Sequence, residues 1–286
     1  MLFLSSLSLP DAEAENSFFL AQRRTCYDSF YPFQIFPQRG LRRLEFSALT
    51  ILYGGNGSGK STVLNILAEA LGLEREAPYN RSAFFGDYLR LCHLHTLRPV
   101  PPESRIMTSD DVFDFMLNLR ALNEGIDHRR DRMFEEVLEA RYSHFQFHGM
   151  EDYDRLKQVS SARRLSQSQY VRKNLVDNIR TYSNGESALR FFTQRMGENA
   201  LYLLDEPENS LSAARQQDLA GFLADSARFY GCQLVVATHS PFLLAMPGAV
   251  VYDLDADPVR PRRWTELETV RAYRDFFRDH EAEFQD

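Results

Sequence analysis

Short runs of unbroken apolar residues punctuate this chain, and each stops abruptly at glycine or at acidic and polar residues. Ile51-Leu52-Tyr53 breaks into Gly54-Gly55, after which Val63, Leu64, Ile66, Leu67 and Leu71 recur at helical spacing. Ala200 to Leu204 and Gln233 to Ala237 are two more such runs, of strand length and rich in Val, Leu and Tyr. Arg105 to Thr108 predicts a strand, and Val112 to Leu117 opens a helix with Ser109 or Asp110 as its N-cap. Residues 1–53 predict β structure: an apolar start at Met1 to Leu4, the alternating Phe30 to Pro37, then Leu41 to Phe46 and Thr50 to Tyr53. Asp11 to Asn16 reads as an acidic, solvated loop. Glu74 to Pro78 interrupts the pattern, residues 79–98 show no clear period, and the proline-rich stretch Arg98 to Ser104 is a connector.

From about Asn118 to Arg180 the pattern changes. The segment is polar and helical in period, with Met133, Phe134, Val137 and Leu138 as one apolar stripe and turns expected at Gly125 and Gly149. It predicts a helical subdomain inserted into an α/β core, too short for a long coiled-coil arm. Charge adds to the picture here. Between Arg155 and Arg180 stand seven basic residues (Arg155, Lys157, Arg163, Arg164, Arg172, Lys173, Arg180) against the single acid Asp177. That is a solvated helical face or a docking surface for nucleic acid or an acidic partner.

The whole chain of 286 residues carries a net charge of −7, so nothing draws it as a whole toward nucleic acid or anionic membrane. Its apolar and charged fractions are those of an ordinary globular protein. No apolar run reaches the roughly 18 residues of a membrane span. Cys26, Cys92 and Cys232 are scattered, which suits a reducing cytoplasm rather than a disulfide framework. Cys92, His93 and His95 lie close enough for metal ligation, but no second pair at zinc-site spacing accompanies them.

The chemistry concentrates at the ends of the apolar runs. Gly54, Gly59, Lys60 and Ser61 match the phosphate-binding spacing G-x-x-x-x-G-K-[ST], set between a strand and a helix. Glycine is required because the backbone N–H groups must wrap closely around phosphate, and the helix N-terminus adds its dipole. Lys60 is placed to reach the β- and γ-phosphates of a nucleoside triphosphate and Ser61 to bind Mg2+. The run ending at Leu204 delivers Asp205 and Glu206: the first to hold Mg2+, directly or through water, the second to polarise an attacking water, with Pro207 ending the strand. The run ending at Ala237 delivers Thr238-His239-Ser240-Pro241, placing His239 toward a γ-phosphate. Ser183 to Glu186 leads into a helix whose N-terminus again suits phosphate.

The order GGNGSGKST, SNGES, LYLLDEPENSLS and VVATHSP resembles the ATP-binding-cassette (ABC) ATPase superfamily from about Tyr31 to Asp255. Within it the pattern is nearest to the soluble branch of SMC-like and DNA-repair ATPases and of ATPases labelled AAA-like. The resemblance implies an α/β P-loop NTPase of ABC type, with a mixed β-sheet core, an N-terminal β subdomain and an inserted helical subdomain. It implies ATP and Mg2+ as cofactors. Gly54, Gly55, Asn56, Gly57, Ser58, Gly59, Lys60, Ser61 and Thr62 become Walker A, with Ser61 and Asp205 on the metal. Glu206 becomes the catalytic base and His239 the switch histidine. Ser183, Asn184, Gly185 and Glu186 become the signature, with Ser183, Gly185 and Glu186 serving nucleotide across a head-to-tail homodimer, and Asn209 to Ser212 the D-loop. The family's Q-loop falls near Ser109, where Asp110 stands in place of glutamine. Tyr31 and Phe33 are candidates to stack on adenine.

The division expected on this basis is 1–117 for the N-terminal strands and Walker A lobe and 118–182 for the helical insertion. Residues 183–255 then carry the signature, Walker B and histidine-switch lobe, and 256–286 a helical tail. The function expected is a cytoplasmic ATPase that uses hydrolysis as a conformational switch on a partner or nucleic acid. The alternative, the nucleotide-binding subunit of a membrane transporter, fits less well. Asn184 and Glu186 stand where transporter subunits usually read Gly-Gly-Gln, and the Q-loop glutamine that couples to a membrane domain is missing.

Overall fold

A computed structural model describes residues 2–24, 26–143, 146, 149–175 and 184–284. Contacts divide the chain into two compact units, one made of residues 1–113 with 184–286 and the other of residues 114–183.

The first unit opens with β1 (Leu4–Ser8), α1 (Ala12–Ala21), β2 (Arg43–Glu45), β3 (Leu49–Tyr53), α2 (Lys60–Leu71), α3 (Phe85–Leu91), β4 (His93–Thr96) and β5 (Arg105–Thr108). Helix α4 (Ser109–Tyr142) begins here and continues in the second unit, which also holds α5 (Tyr153–Arg164) and α6 (Gln167–Asn174). The chain returns through α7 (Asn184–Arg195), β6 (Leu201–Asp205), α8 (Ala213–Phe229), β7 (Gln233–Ala237), α9 (Pro241–Leu244), β8 (Val250–Asp253), β9 (Arg260–Arg262) and α10 (Glu268–Asp279). Six strands form a sheet in the order β5-β6-β7-β3-β8-β9, parallel from β5 to β8 with β9 antiparallel at the edge. Strands buried on both faces read as unbroken apolar runs, which is why β3, β6 and β7 stand out in the sequence.

A second, antiparallel sheet, β2-β1-β4, packs its Leu4, Leu7 and Leu44 into the same core. Gln233, fully buried at the start of β7, ties the two sheets together. Its side-chain oxygen accepts from Phe3 N and Leu4 N, both at 2.8 Å, and its amide donates to Leu4 O (2.6 Å) and Ser47 O (3.1 Å). Each of those backbone groups would cost about 1–3 kcal/mol if left buried and unpaired.

Several expectations for the N-terminal region are corrected. Asp11 to Asn16 is not a loop: Asp11 caps α1, accepting from Ala14 N at 3.0 Å, and Glu13 and Glu15 occupy the first turn, where acids complement the helix dipole. Phe30 to Pro37 is not a strand but a series of tight turns with Gln34 at φ 67°. Phe30, Phe33 and Phe36 recur every third residue, and Phe33 and Phe36 sink into the core. Phe33 stacks on Phe18 with centroids 4.5 Å apart, which removes it from the adenine candidates. The cap of α4 is neither Ser109 nor Asp110. Thr108 and Asp111 bond reciprocally, Thr108 N to Asp111 Oδ2 (2.6 Å) and Asp111 N to Thr108 Oγ1 (3.3 Å). Gly125 lies inside α4 rather than at a turn, and Leu138 is exposed while Met133 and Val137 are buried. The stretch 79–98 contains α3 and β4. Burial pushes the Cys92 thiol up to about 12, and no metal-holding group of three His, Cys, Asp or Glu occurs among the described residues.

In the second unit two arginines clasp helix ends. Arg141, near the end of α4, donates to Ala162 O (2.9 Å) and Leu165 O (2.7 Å) at the end of α5, and Arg163 donates to Ser143 O (2.8 Å) past the end of α4. Carbonyls orphaned at both C-termini are thereby paired. Arg163 of the basic segment thus has a structural task although it is exposed, as Arg155, Lys157, Arg164, Arg172 and Lys173 are; Asp177 and Arg180 lie outside the described residues. No helix among the described residues is long and apolar enough to cross a membrane.

Glu15 provides a pH test of this packing. Burial raises its pKa, opposed by the hydrogen bond from Gln34 N at 2.7 Å. The folded chain therefore holds the proton to higher pH than the unfolded chain, and stability falls as pH rises through that window. Replacing Glu15 with Gln should raise Tm relative to wild type at about pH 8 more than at about pH 4. Thermal melts with a pH-independent difference between the two proteins would refute this account of Glu15.

Candidate functional site

Parallel strands end together, so the loops after β3, β6, β7 and β8 meet along one edge of the sheet, where open α/β sheets bind their ligands. The Gly54 to Gly59 loop leaves β3 there and enters α2. Gly59 sits at φ 97°, and a Cβ on it would lie 2.8 Å from Phe36 Cε1 and 3.3 Å from Ile35 Cγ2. Among the described residues no side-chain hydrogen bond caps α2 at Gly59, and the first N–H groups of a helix have no partner within it. Arg39 braces the loop from outside, donating to Gly57 O (3.2 Å) and Leu254 O (3.0 Å) and pairing with Asp255, which also accepts from Gly55 N. Gly55, Asn56 and Gly57 are exposed, while Gly54, Ser58 and Thr62 are buried. Thr62 accepts a 2.9 Å bond from the Tyr31 hydroxyl, which anchors Tyr31, the remaining adenine candidate, beside the start of α2.

Lys60 is 5% exposed. Its Nζ donates to Gly54 O (2.7 Å) and Gly55 O (3.2 Å), lies 2.8 Å from His239 Nε2 and 4.0 Å from Glu206 Oε1. His239 Nε2 is itself 3.4 Å from Glu206 Oε1. Three residues from three separate loops therefore converge on one point. Burial lowers the Lys60 pKa, and the negative charges of Glu206, Asp205, Asp255 and Glu208 resist that shift.

Asp205 ends β6, which is separated by β7 from the strand that the loop leaves. Burial pushes its carboxyl up to about 6, helped by repulsion from Glu206 and Glu208 and opposed by the Ser61 hydroxyl and Lys60. Its Oδ1 is buried with no partner, as is Ser58 Oγ. The unpartnered Asp205 oxygen, on a carboxyl that also meets the Ser61 hydroxyl, is a donor set that fits Mg2+, which takes one or two protein oxygens and phosphate or water for the rest. Glu206 follows at φ 48°, a sparsely populated conformation for a residue with a side chain, held by its N–H to Ala237 O at 2.9 Å.

Asn209 donates from Nδ2 to Glu206 Oε2 (3.1 Å) and from its N–H to Glu206 O. Gly185 and Glu186 stand in the first turn of α7, half-buried, and the nearest atoms to a Cβ on Gly185 belong to Arg215, Ser210 and Leu211. The first turn of α7 is thus set beside Ser210, Leu211 and Arg215. Ser183, the first residue of the expected signature, lies outside the described residues. Asp110 is exposed, and the inward carboxylate of that turn is Asp111, engaged with Ala77 N (2.7 Å) and Thr108.

Three residues of the site are absent from the sequence reading: Arg39, Asp255 and Glu208. Arg39 and Asp255 meet across more than 200 positions and no spacing rule announces them. Glu208 stands inside the acidic DEPE turn, where it is hidden by the stronger signal of Asp205 and Glu206.

A family model described as "AAA domain, putative AbiEii toxin, Type IV TA system" matches residues 87–245. Among curated proteins none matches the chain. Solved structures resemble it at low identity. An SMC head domain with an extended coiled coil from Pyrococcus furiosus, bound to the C-terminal domain of ScpA, is 14% identical, covering 97% of this chain and 100% of its own, with TM-score 0.41. The SMC head domain from Thermotoga maritima is 13% identical, covering 91% and 99%, with TM-score 0.40. A dimeric ATP-binding cassette in a post-hydrolysis state bound to ADP and Pi is 14% identical, covering 80% and 92%, with TM-score 0.36.

The close approach at Gly59 generates a prediction. Gly59→Ala places a Cβ against Phe36 at a φ that costs an L-residue about 1–3 kcal/mol. The chain should keep its circular dichroism while its affinity for a fluorescent ATP analogue falls about tenfold or more. Unchanged affinity would refute the role given to this turn.

Proposed function

The chain belongs to this AAA-domain family and is a nucleotide-binding ATPase, and from that premise we propose that it hydrolyses Mg2+-bound ATP at an ABC-type site completed by a second copy. The convergence of Lys60, Glu206 and His239 on the phosphate loop carries the reading. Lys60 and the N–H groups opening α2 bind the β- and γ-phosphates. Asp205 and Ser61 hold Mg2+, which when bound offsets phosphate charge. Glu206 accepts the proton of the attacking water, and His239 Nε2 donates to the γ-phosphate.

Because Lys60 Nζ, His239 and Glu206 already touch one another, an incoming phosphate exchanges contacts within a formed cluster rather than assembling one. The N-terminus of α7, at Asn184, Gly185 and Glu186, serves the nucleotide of the partner copy, and Ser183 joins them by the family pattern. Loss of the shared γ-phosphate then loosens the pair, and this is the switch. Its output acts on a nucleic acid or an acidic partner through the Arg155 to Arg180 face, where Arg164, Arg172 and Lys173 are exposed. The toxin–antitoxin association of the family favours a role in defence.

Two measurements test this. Glu206→Gln should bind ATP as wild type does while phosphate release falls about 10²–10⁴-fold. Wild-type turnover in that variant would remove Glu206 from the role. Sharing of the site is tested by mixing. Gly185→Arg and Lys60→Ala chains should each be inactive, and together they should regain hydrolysis, since one composite site then has an intact phosphate loop and an intact signature. A mixture that stays inactive while both chains are folded would refute the shared site.

A further inference from the structure

Glu208 is a carboxylate only 8% exposed, and the roles assigned above to Asp205, Glu206 and His239 leave it without one. Its Oε1 accepts three hydrogen bonds, all from the segment that follows β7: Thr238 Oγ1 at 2.6 Å, His239 N at 2.6 Å and Ser240 N at 3.1 Å. A second tie crosses the same gap, from Glu206 N to Ala237 O. The far side of the segment is fixed as well. Ser240 Oγ accepts from Phe242 N (3.2 Å) and donates to Gln216 Oε1 (2.7 Å), and Gln216 Nε2 donates to Leu211 O (3.0 Å).

Burying an ionised group is costly, and a turn of this size needs no charge to close it. A carboxylate accepts shorter and stronger bonds than a neutral acceptor. Two consecutive N–H groups drawn to one oxygen fix the peptide between His239 and Ser240, and with it the direction in which the imidazole leaves the backbone. The imidazole is 34% exposed, with Nε2 2.8 Å from Lys60 Nζ and 3.4 Å from Glu206 Oε1. We infer that Glu208 is a positioning residue for ATP hydrolysis: it locks the His239 segment to the turn that carries Glu206, so that base and phosphate contact keep one spacing. This rests on the reading of His239 as the γ-phosphate contact.

A double-mutant cycle tests the inference, with steady-state ATPase kinetics on the full chain for wild type, His239→Ala, Glu208→Ala and the double variant. A misplaced reacting group costs about 10–100-fold in rate. Glu208→Ala should therefore lose about that much in kcat while KM for ATP moves less than about threefold. The double variant should be no slower than the slower single one, because the two changes disable the same contact. Glu208→Gln keeps an oxygen for the two amides and should recover part of the rate. It also carries the same cycle if the alanine variant does not fold, with a smaller loss that again vanishes in the His239→Ala background. Losses that multiply in the double variant, or a raised KM at unchanged kcat, would overturn the positioning role alone. Wild-type turnover in His239→Ala would instead overturn the reading of His239, and this inference with it.

Discussion

The ammonium of Lys60 is buried at the edge of the parallel sheet, and a charge taken out of water must be compensated where it sits. Two loop carbonyls and the His239 ring take its hydrogen bonds, while Glu206, Asp205, Asp255 and Glu208 supply the opposing field. Burial raises the pKa of Asp205, and repulsion from Glu206 and Glu208 adds to that rise. Lys60 therefore needs the acids, and its charge offsets part of the repulsion among them. Asp205 Oδ1 remains buried without a hydrogen-bond partner among these charges.

The sheet makes this concentration of charge possible. Its order sets β3 between β7 and β8, with β6 next to β7, so four loops that are distant in sequence become neighbours. Register does the finer placement: Asp205 pairs with Ala237, which brings the Glu206 turn and the His239 segment to the same height. The cross-ties from Glu206 N and from Glu208 then join two loops that the sheet has already aligned. Outside that edge, Arg39 and Asp255 hold the phosphate loop against the exit of β8, so the loop is braced on both sides.

The first unit also carries a small antiparallel sheet with no part in the chemistry. Gln233 attaches it by side-chain bonds made from within β7, and its Leu4, Leu7 and Leu44 complete the core beneath α2 and β3. The second unit is closed by a different device, the exchange of Arg141 and Arg163 between the ends of α4 and α5. In each case a long polar side chain pairs backbone groups that no ladder reaches.

The sequence by itself determined the elements whose signal is local. β3, β6 and β7 are unbroken apolar runs, α2 has helical periodicity, and the phosphate-loop and Asp205-Glu206 motifs are defined by spacing within a few residues. Local sequence was also enough to place His239 at a strand end. Tertiary structure decided what depends on distant partners. Phe30 to Pro37 alternates like a strand, yet it folds into turns because Phe18, Phe84 and Tyr88 offer its rings a core to enter. Asp11 to Asn16 looks like a solvated loop until Phe18 and Phe19 give α1 a face to bury. Arg39 with Asp255, Gln233 with Leu4, and Glu208 with His239 join residues from about 30 to more than 200 positions apart. Such pairings leave no periodic trace along a chain, because what selects them is the geometry of the folded sheet and not the residues on either side.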